Sequence, residues 1–524
     1  MASDMDIRRI AQAAAAALAR RDFAAALTLG RQWIGLRPFD VGANQIVGLA
    51  ALETGELATA TAHLQRASAS APNNADLCNV LGVALKRCGE VDRARAAFKR
   101  AGELGAGEAW RNLGNLESEA GAVDAAIAAY RAALRANESD AAAHASLAQM
   151  LERRHALEEA RAHAVRALSL DAGSDLARLA LAQLALREKN FAEAEATALP
   201  LAVGGASKTN RALAWGIVGE ARDRLDRPHA AFSAFRNANA LLSELHGRLL
   251  SDSHLPHHPD GVRRMLAMLD APTPLPPSRF QTPAPIFLVG FPRSGTTLLD
   301  QILSSHSRLY CMEEREVFAE SVADLAAADA PPADLDIEKR RSTYWARVTE
   351  PLGGRLLVDK LPLNIVFLPL IARVFPDAKI ILALRDPRDA VLSCFQQRFG
   401  MNAAMAQFLD LPNAASYYDL MMSLMEACRA RLTLAVHQVR YEDVVADLER
   451  EARALASFLE LPFEPGMLGF RETAIKRDIN TPSARQVIEP LYNRSIGRWR
   501  RYEADLAPVL PNLTEWALRY GYEA

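Results

Sequence analysis

The chain is 524 residues long, half hydrophobic and 24% charged, a globular balance with material for two or more domains at roughly 100–200 residues each. Its 61 lysines and arginines face 63 aspartates and glutamates, a formal net charge of -2, which argues against a general nucleic-acid or membrane-surface binder. Disorder, a collagen-like chain and a disulfide mini-scaffold are excluded by the same figures. The five cysteines (Cys78, Cys88, Cys311, Cys394, Cys428) form no Cys-x-x-Cys pair, so they are expected to be reduced, mostly buried thiols. The alanine run from Ala11 to Leu18 continues into a helical pattern and is not a signal segment, and no run reaches the roughly 20 apolar residues of a membrane span. A cytoplasmic location is the expectation.

From the N-terminus the sequence repeats. Units beginning at Ile7, Val41, Ala75, Gly107, Ala141, Asp175 and Ala212 follow one another at steps of 34, 34, 32, 34, 34 and 37 residues. Position 8 is small in each (Ala14, Gly48, Gly82, Gly114, Ala148, Ala182, Gly219), and position 20 is always alanine (Ala26, Ala60, Ala94, Ala126, Ala160, Ala194, Ala231). Position 24 is often bulky, as at Leu64, Phe98, Tyr130 and Phe235. Small residues let two antiparallel helices approach, larger ones fill the gaps, and no single pair can bury its own apolar face, so the pairs must stack. The pattern resembles the tetratricopeptide repeat over residues 7–245, about seven units. That resemblance implies an α-solenoid whose concave groove holds a peptide or protein partner; a purely structural extension is the other reading.

Residues 246–283 read as a linker. His254, Pro256, His257, His258 and Pro259 cluster without helical period, and prolines recur from Pro272 to Pro285. No cysteine or carboxylate completes a metal-ligand spacing with these histidines, so a solvated connector is expected and no metal. Residues 284–524 then suffice for one α/β domain.

That domain opens with a strand-like run, Pro285-Ile-Phe-Leu-Val-Gly290, then Phe291-Pro-Arg-Ser-Gly-Thr-Thr297, then the amphipathic helix start Leu298-Leu-Asp-Gln-Ile-Leu303. A strand–loop–helix of this kind offers backbone amides and a helix N-terminus to an anion. Gly290 and Gly295 keep the glycine spacing of the nucleotide-triphosphatase loop GxxxxGK[ST], but Thr296 stands where the lysine belongs. That lysine reaches the β- and γ-phosphates of a nucleoside triphosphate, so ATP or GTP hydrolysis is disfavoured. A shorter anionic chain held by Arg293, Ser294, Gly295, Thr296 and Thr297 fits better.

Phe291–Thr297 resembles the 5′-phosphosulfate loop of sulfotransferases that use 3′-phosphoadenosine 5′-phosphosulfate. A second block supports the resemblance: the strand Ala378-Lys-Ile-Ile-Leu-Ala-Leu384, followed by Arg385-Asp-Pro-Arg-Asp-Ala-Val-Leu-Ser393. By that likeness Arg385 and Ser393 would bind the donor's 3′-phosphate, a role suited to a forked guanidinium and a hydroxyl. Cys311-Met-Glu-Glu-Arg-Glu316 is similar to the Cys-Gly-Glu-Glu segment of protein-tyrosine sulfotransferases, which implies Glu314 as general base beside Glu313. Leu357-Val-Asp-Lys-Leu-Pro-Leu-Asn364 contains no histidine base, and Lys360 matches the family lysine that stabilises the transferring group. His306 lies where the family has a structural histidine. Tyr441, in Val439-Arg-Tyr-Glu-Asp443, is placed near the adenine or in the core. Ser483 and Arg498 match a closing segment over the donor, in which Glu489 replaces a lysine typical of the tyrosine enzymes; Glu316 likewise replaces an arginine.

The expected architecture is thus an α-solenoid of tetratricopeptide repeats, followed by a three-layer αβα, P-loop-like sulfotransferase domain with a mainly parallel sheet. The expected reaction moves a sulfuryl group to an acceptor hydroxyl, with protein or peptide tyrosine leading and the repeats presenting it. Glu314 serves as base, and Lys360 and Arg293 offset charge on the leaving nucleotide. Because these cations are side chains, no metal is demanded. A carbohydrate or small-molecule acceptor, or a repeat scaffold carrying a silent nucleotide fold, are the other readings.

Overall fold

A computed structural model of the chain describes residues 4–270, 280, 282–327, 336–477 and 493–524. It divides into two compact units, one up to Leu201 and one from Ala202 onward. Among the described residues no helix is long and apolar enough to cross a membrane. All five cysteines are free, and only Cys88 is not buried.

The first unit is a stack of helix pairs whose limits follow from local chemistry. Val41, Ala75, Gly107, Ala141 and Asp175 each begin a helix. Asp40, Asn74, Asp140 and Ser174 stand just before four of them and accept a hydrogen bond from the amide three residues on, satisfying a donor that the helix itself cannot. Between the two helices of each unit the chain turns through a left-handed residue at position 15: Arg21, Gly55, Gly89, Gly121, His155, Lys189 and Asp226 all have positive φ. Only three of these are glycine, so composition does not announce the turn.

Inside the pairs, all seven alanines at position 20 are fully buried. Positions 8 and 24 complement each other in size. A Cβ on Gly48, Gly82, Gly114 or Gly219 would come within 2.5 to 2.7 Å of Leu64, Phe98, Tyr130 or Phe235 respectively. Where position 8 is alanine (Ala14, Ala148, Ala182), position 24 is Gly30, Ala164 or Ala198. In four units a glycine at position 8 thus makes room for a large side chain at position 24, and in the other three both positions are small, so nowhere are both large, as close packing of the two helices requires.

The second unit is built on five parallel strands: β1 (Ile286–Gly290), β2 (Leu309–Glu313), β3 (Leu356–Lys360), β4 (Lys379–Leu384) and β5 (Ala435–Arg440), in the order β2-β3-β1-β4-β5. The apolar run of β1 is buried throughout, as expected of a strand covered on both faces. Phe287 and Val289 enter one core with the helices Pro387–Gln396 and Leu411–Arg431. Ile286 and Leu288 enter another with the helices Thr296–Ser304 and Leu448–Phe458. Two cores on opposite faces of one sheet make the three layers.

Two features of the structure bear on the expected boundaries. The repeat pattern was expected to run to residue 245; its last helix pair is present, and the compact division falls before it, at Leu201. The last helix pair, Lys208–Arg224 and Pro228–His246, lies in the second unit, where Phe232 and Phe235 join the core on the Phe287 face. The stretch expected to be a solvated linker, 246–283, contains the helix Pro259–Ala267, whose Val262 and Met265 lie in the same core. His257 is half-buried edge-on against Phe367, and that burial lowers it to about 4. His258 caps that helix by accepting from the Asp260 amide. The proline and histidine content hid an amphipathic turn of helix.

The size complementarity is testable. Gly114→Ala should cost about 1–3 kcal/mol in denaturant unfolding, as overpacking does. In a Tyr130→Ala background the same change should cost close to nothing; an equal cost in both backgrounds would refute the pairing.

Candidate functional site

The loop Phe291–Gly295 joins β1 to the helix Thr296–Ser304. Gly290 must be glycine because a Cβ would stand 2.6 Å from the Ala383 carbonyl on β4. Arg293 and Gly295 both adopt positive φ, +69° and +94°, and curl the loop over the helix N-terminus. First-turn amides there have no intrahelical acceptor and the helix dipole favours an anion. Ser294, Thr296 and Thr297 are buried around them. Tyr441, at the end of β5, packs on this loop: a Cβ on Gly295 would lie 3.0 Å from its ring.

The second block converges on the same place. Arg385, just past β4, donates to the Arg293 carbonyl at 3.2 Å and to the Ser495 carbonyl at 2.5 Å. Its buried Nε has no hydrogen-bond partner, and its guanidinium lies 5.4 Å from the Tyr441 ring centroid. Arg293 Nε donates to Ser393 Oγ at 3.1 Å. Arg293, Arg385, Ser393 and Tyr441 therefore form one cluster. Below it, Asp389 accepts from the amides of Gly497 and Trp499 at 2.7 and 2.8 Å. Burial pushes this carboxyl up to about 6, against the pull of Arg385 and of those amides.

On the other side of the loop, β2 and β3 end together. Lys360, fully buried, donates to Glu314 Oε1 at 3.0 Å and to Glu313 Oε1 at 3.4 Å. Glu314 keeps 34% of its side chain exposed, so one carboxylate both meets the ammonium and faces solvent. It holds φ at +46°, fixed by its own amide donating to the Lys360 carbonyl at 2.8 Å. Burial works against the charge on Lys360, but Glu314, Asp300 and Glu313 outweigh it and hold the ammonium above the ordinary lysine value.

Sequence reasoning missed the groups that support these. Asp300, on the loop's own helix, is fully buried. Arg477 donates to it at 3.3 Å, to Ser304, and to the Cys311 carbonyl of β2 at 3.1 Å. One guanidinium thus ties the phosphate-loop helix to the strand that ends in Glu313 and Glu314. Beside Lys360 on β3, Asp359 points to the opposite core, accepting from Tyr344 Oη at 2.9 Å and Asn364 Nδ2 at 3.2 Å; burial pushes it up to about 7.

Other expected residues lie elsewhere. Arg498 pairs with Asp223 at 2.7 Å on the helix Lys208–Arg224. Ser483 and Glu489 lie outside the described residues. His306 is buried, with Nε2 at 2.9 Å from the Pro462 carbonyl and Nδ1 accepting from the Arg308 amide, which is a structural role.

Residues 285–465 match the model of the Sulfotransferase family, and residues 51–116 match a Tetratricopeptide repeat model. An uncharacterized protein of Aquifex aeolicus is 32% identical over 247 residues, covering 44% of this chain and 32% of that protein. Protein-tyrosine sulfotransferase 1 of Danio rerio is 26% identical over 267 residues, 45% of this chain and 72% of the relative. Protein-tyrosine sulfotransferase A of Caenorhabditis elegans is 27% identical over 266 residues, 45% and 67%. The chain thus spans about a third of the Aquifex relative's length.

The buried Asp359 carboxyl gives a pH signature. Its folded value of about 7 lies above the ordinary 3.8, so between these pH values the folded chain keeps a proton that the unfolded chain has lost. Stability therefore falls as pH rises through that window. Asp359→Asn cannot titrate, and its stability relative to the parent should rise from pH 4 to pH 7 by up to a few kcal/mol. Parallel pH profiles in chemical denaturation would show that Asp359 is ionised in the folded protein.

Proposed function

A sulfotransferase family domain follows tetratricopeptide repeats in this chain, and from that premise we propose that the protein transfers a sulfuryl group from 3′-phosphoadenosine 5′-phosphosulfate to the hydroxyl of a protein or peptide tyrosine. The observation that carries this reading is the pairing of Glu314 with the buried Lys360 at the strand ends beside a phosphate loop that lacks the triphosphatase lysine.

The roles follow from the chemistry. The loop amides with Ser294, Thr296 and Thr297 bind the 5′-phosphosulfate. Arg385 and Ser393 bind the 3′-phosphate, and the free Arg385 Nε is a donor suited to it. Glu314 accepts the acceptor's hydroxyl proton as the new oxygen–sulfur bond forms. The bond between sulfur and the bridging oxygen breaks, and its electron pair stays on the 5′-phosphate, giving a sulfate ester and 3′,5′-adenosine bisphosphate. Lys360 and Arg293 offset the charge growing on that oxygen, a preorganised arrangement whose cations are already in place. The tyrosine assignment is supported by Cys311–Glu314 and by the similarity to protein-tyrosine sulfotransferases of two animals. The repeat groove is the proposed holder of the acceptor polypeptide.

The test is transfer of radiolabelled sulfate from the donor into a cell lysate, with identification of the labelled molecule; label confined to sugars or small phenols would replace the tyrosine assignment. Glu314→Gln should lower turnover by about 10²–10⁴-fold while bisphosphate binding stays within a few fold. Unchanged turnover would remove Glu314 as the base. Arg385→Ala should weaken bisphosphate binding by about 10-fold or more, the worth of a charge-assisted hydrogen bond; equal affinity in calorimetry would refute the 3′-phosphate clamp.

A further inference from the structure

The helix pair that closes the repeat pattern is built into the donor side of the α/β unit. Asp223, buried near the end of the helix Lys208–Arg224, accepts from Arg498 at 2.7 Å, from Arg501 at 3.0 Å and from Tyr502 Oη at 2.5 Å. Its backbone carbonyl accepts from Arg501 as well. These three donors are the polar face of one short 3-10 helix, Arg498–Tyr502. Just before that helix and in its first turn come the groups that meet the candidate donor site. The Ser495 carbonyl accepts from Arg385, and the Gly497 and Trp499 amides bind Asp389. The second helix of the pair braces the other wall. Asn239 donates to the Phe395 carbonyl at 2.9 Å, and Phe232 stacks on Phe395 at 4.9 Å. Phe395 lies on the helix Pro387–Gln396 that carries Ser393.

Asp223 is thus one carboxylate between two guanidiniums, on the far side of a short turn from a third, Arg385. Arg501 also pairs with Asp226 at 2.8 Å, but only Asp223 joins Arg498, Arg501 and Tyr502; without its charge the turn bearing Ser495 would keep Asp226 and the Asp389 hydrogen bonds and lose the link that holds its three side chains together. Arg385 spends two of its donors on backbone carbonyls, those of Arg293 and Ser495. The direction of its remaining Nε is therefore set by where Ser495 stands.

We infer that Asp223, in the last repeat unit, is a positioning residue for the Arg385–Ser393 phosphate clamp: through the Arg498–Tyr502 turn it fixes the Ser495 carbonyl that orients Arg385. This rests on reading that clamp as the site of the donor's 3′-phosphate. It also gives the seventh repeat unit a function in the transfer domain, in keeping with its place in that compact unit.

The test uses the full chain and two probes, 3′,5′-adenosine bisphosphate and adenosine 5′-monophosphate, which differ only in the 3′-phosphate. The parent protein should prefer the bisphosphate. In Asp223→Asn that preference should fall about tenfold, within the range of coupling between linked sites, while affinity for the monophosphate is unchanged. A merely structural loss would weaken both probes together. Tyr502→Phe removes one donor to Asp223 and leaves both arginines paired; it should show a smaller fall in the same direction, and it decides the matter alone should Asp223→Asn not fold. Full preference retained in the folded variants overturns the inference. A parent protein without any preference overturns the clamp first and the inference with it, a result distinguishable from the previous one.

Discussion

The structure depends on a buried ammonium. Taking a lysine charge out of water costs several kcal/mol even after relaxation, and Lys360 is fully buried at the end of β3. Glu314, Glu313 and Asp300 make that tolerable, and they come from two different elements, the end of β2 and the phosphate-loop helix. Asp300 is itself buried and is compensated by Arg477, which also holds the Cys311 carbonyl of β2. Removing Lys360 would leave Glu313, Glu314 and Asp300 facing one another without it, and removing Arg477 would leave the buried Asp300 with Lys360 as its remaining cation. The relative positions of β2, β3 and the loop helix are accordingly fixed by electrostatics as much as by packing.

That network lies where an open parallel sheet offers a site. In the order β2-β3-β1-β4-β5 the chain winds one way from β1 and then returns to the other side at β4, and ligands in such sheets bind beyond the carboxyl ends of the strands near that reversal. The phosphate loop follows β1, Arg385 follows β4, Glu313 finishes β2 with Glu314 just beyond it, and Lys360 finishes β3. Each candidate group reaches the same edge because parallel strands bring all their C-termini to one side.

What could be read from the sequence was what is contiguous. Phe291–Thr297, Arg385–Ser393 and Cys311–Glu314 are short blocks whose spacing carries their geometry, and the small residues at positions 8 and 20 carry that of the helix pairs. Partners distant in sequence were not legible: Asp300 with Arg477, Asp359 with Tyr344, and Asp223 with Arg498 are related only by the fold. The boundary at Leu201 was hidden for a similar reason. The seventh unit keeps the repeat-defining alanine and glycine, while the residues that seat it in the second unit, such as Phe232 and Asn239, occupy positions that the period leaves free.

Backbone strain ties the two halves of the site together. Outside the repeat turns, the described non-glycine residues with positive φ are Arg293, Glu314 and Glu460, and two of these are candidate catalytic groups. A left-handed residue other than glycine costs roughly 1–2 kcal/mol, and such positions persist only where their surroundings over-determine them. Both are so held. The Arg293 carbonyl accepts from Arg385 on the β4 side, and the Glu314 amide donates to the Lys360 carbonyl on the β3 side. Each strained residue is locked by the very group with which it would share a ligand, so the conformation that costs the chain energy is also the one that brings base, cation and phosphate clamp to one edge of the sheet.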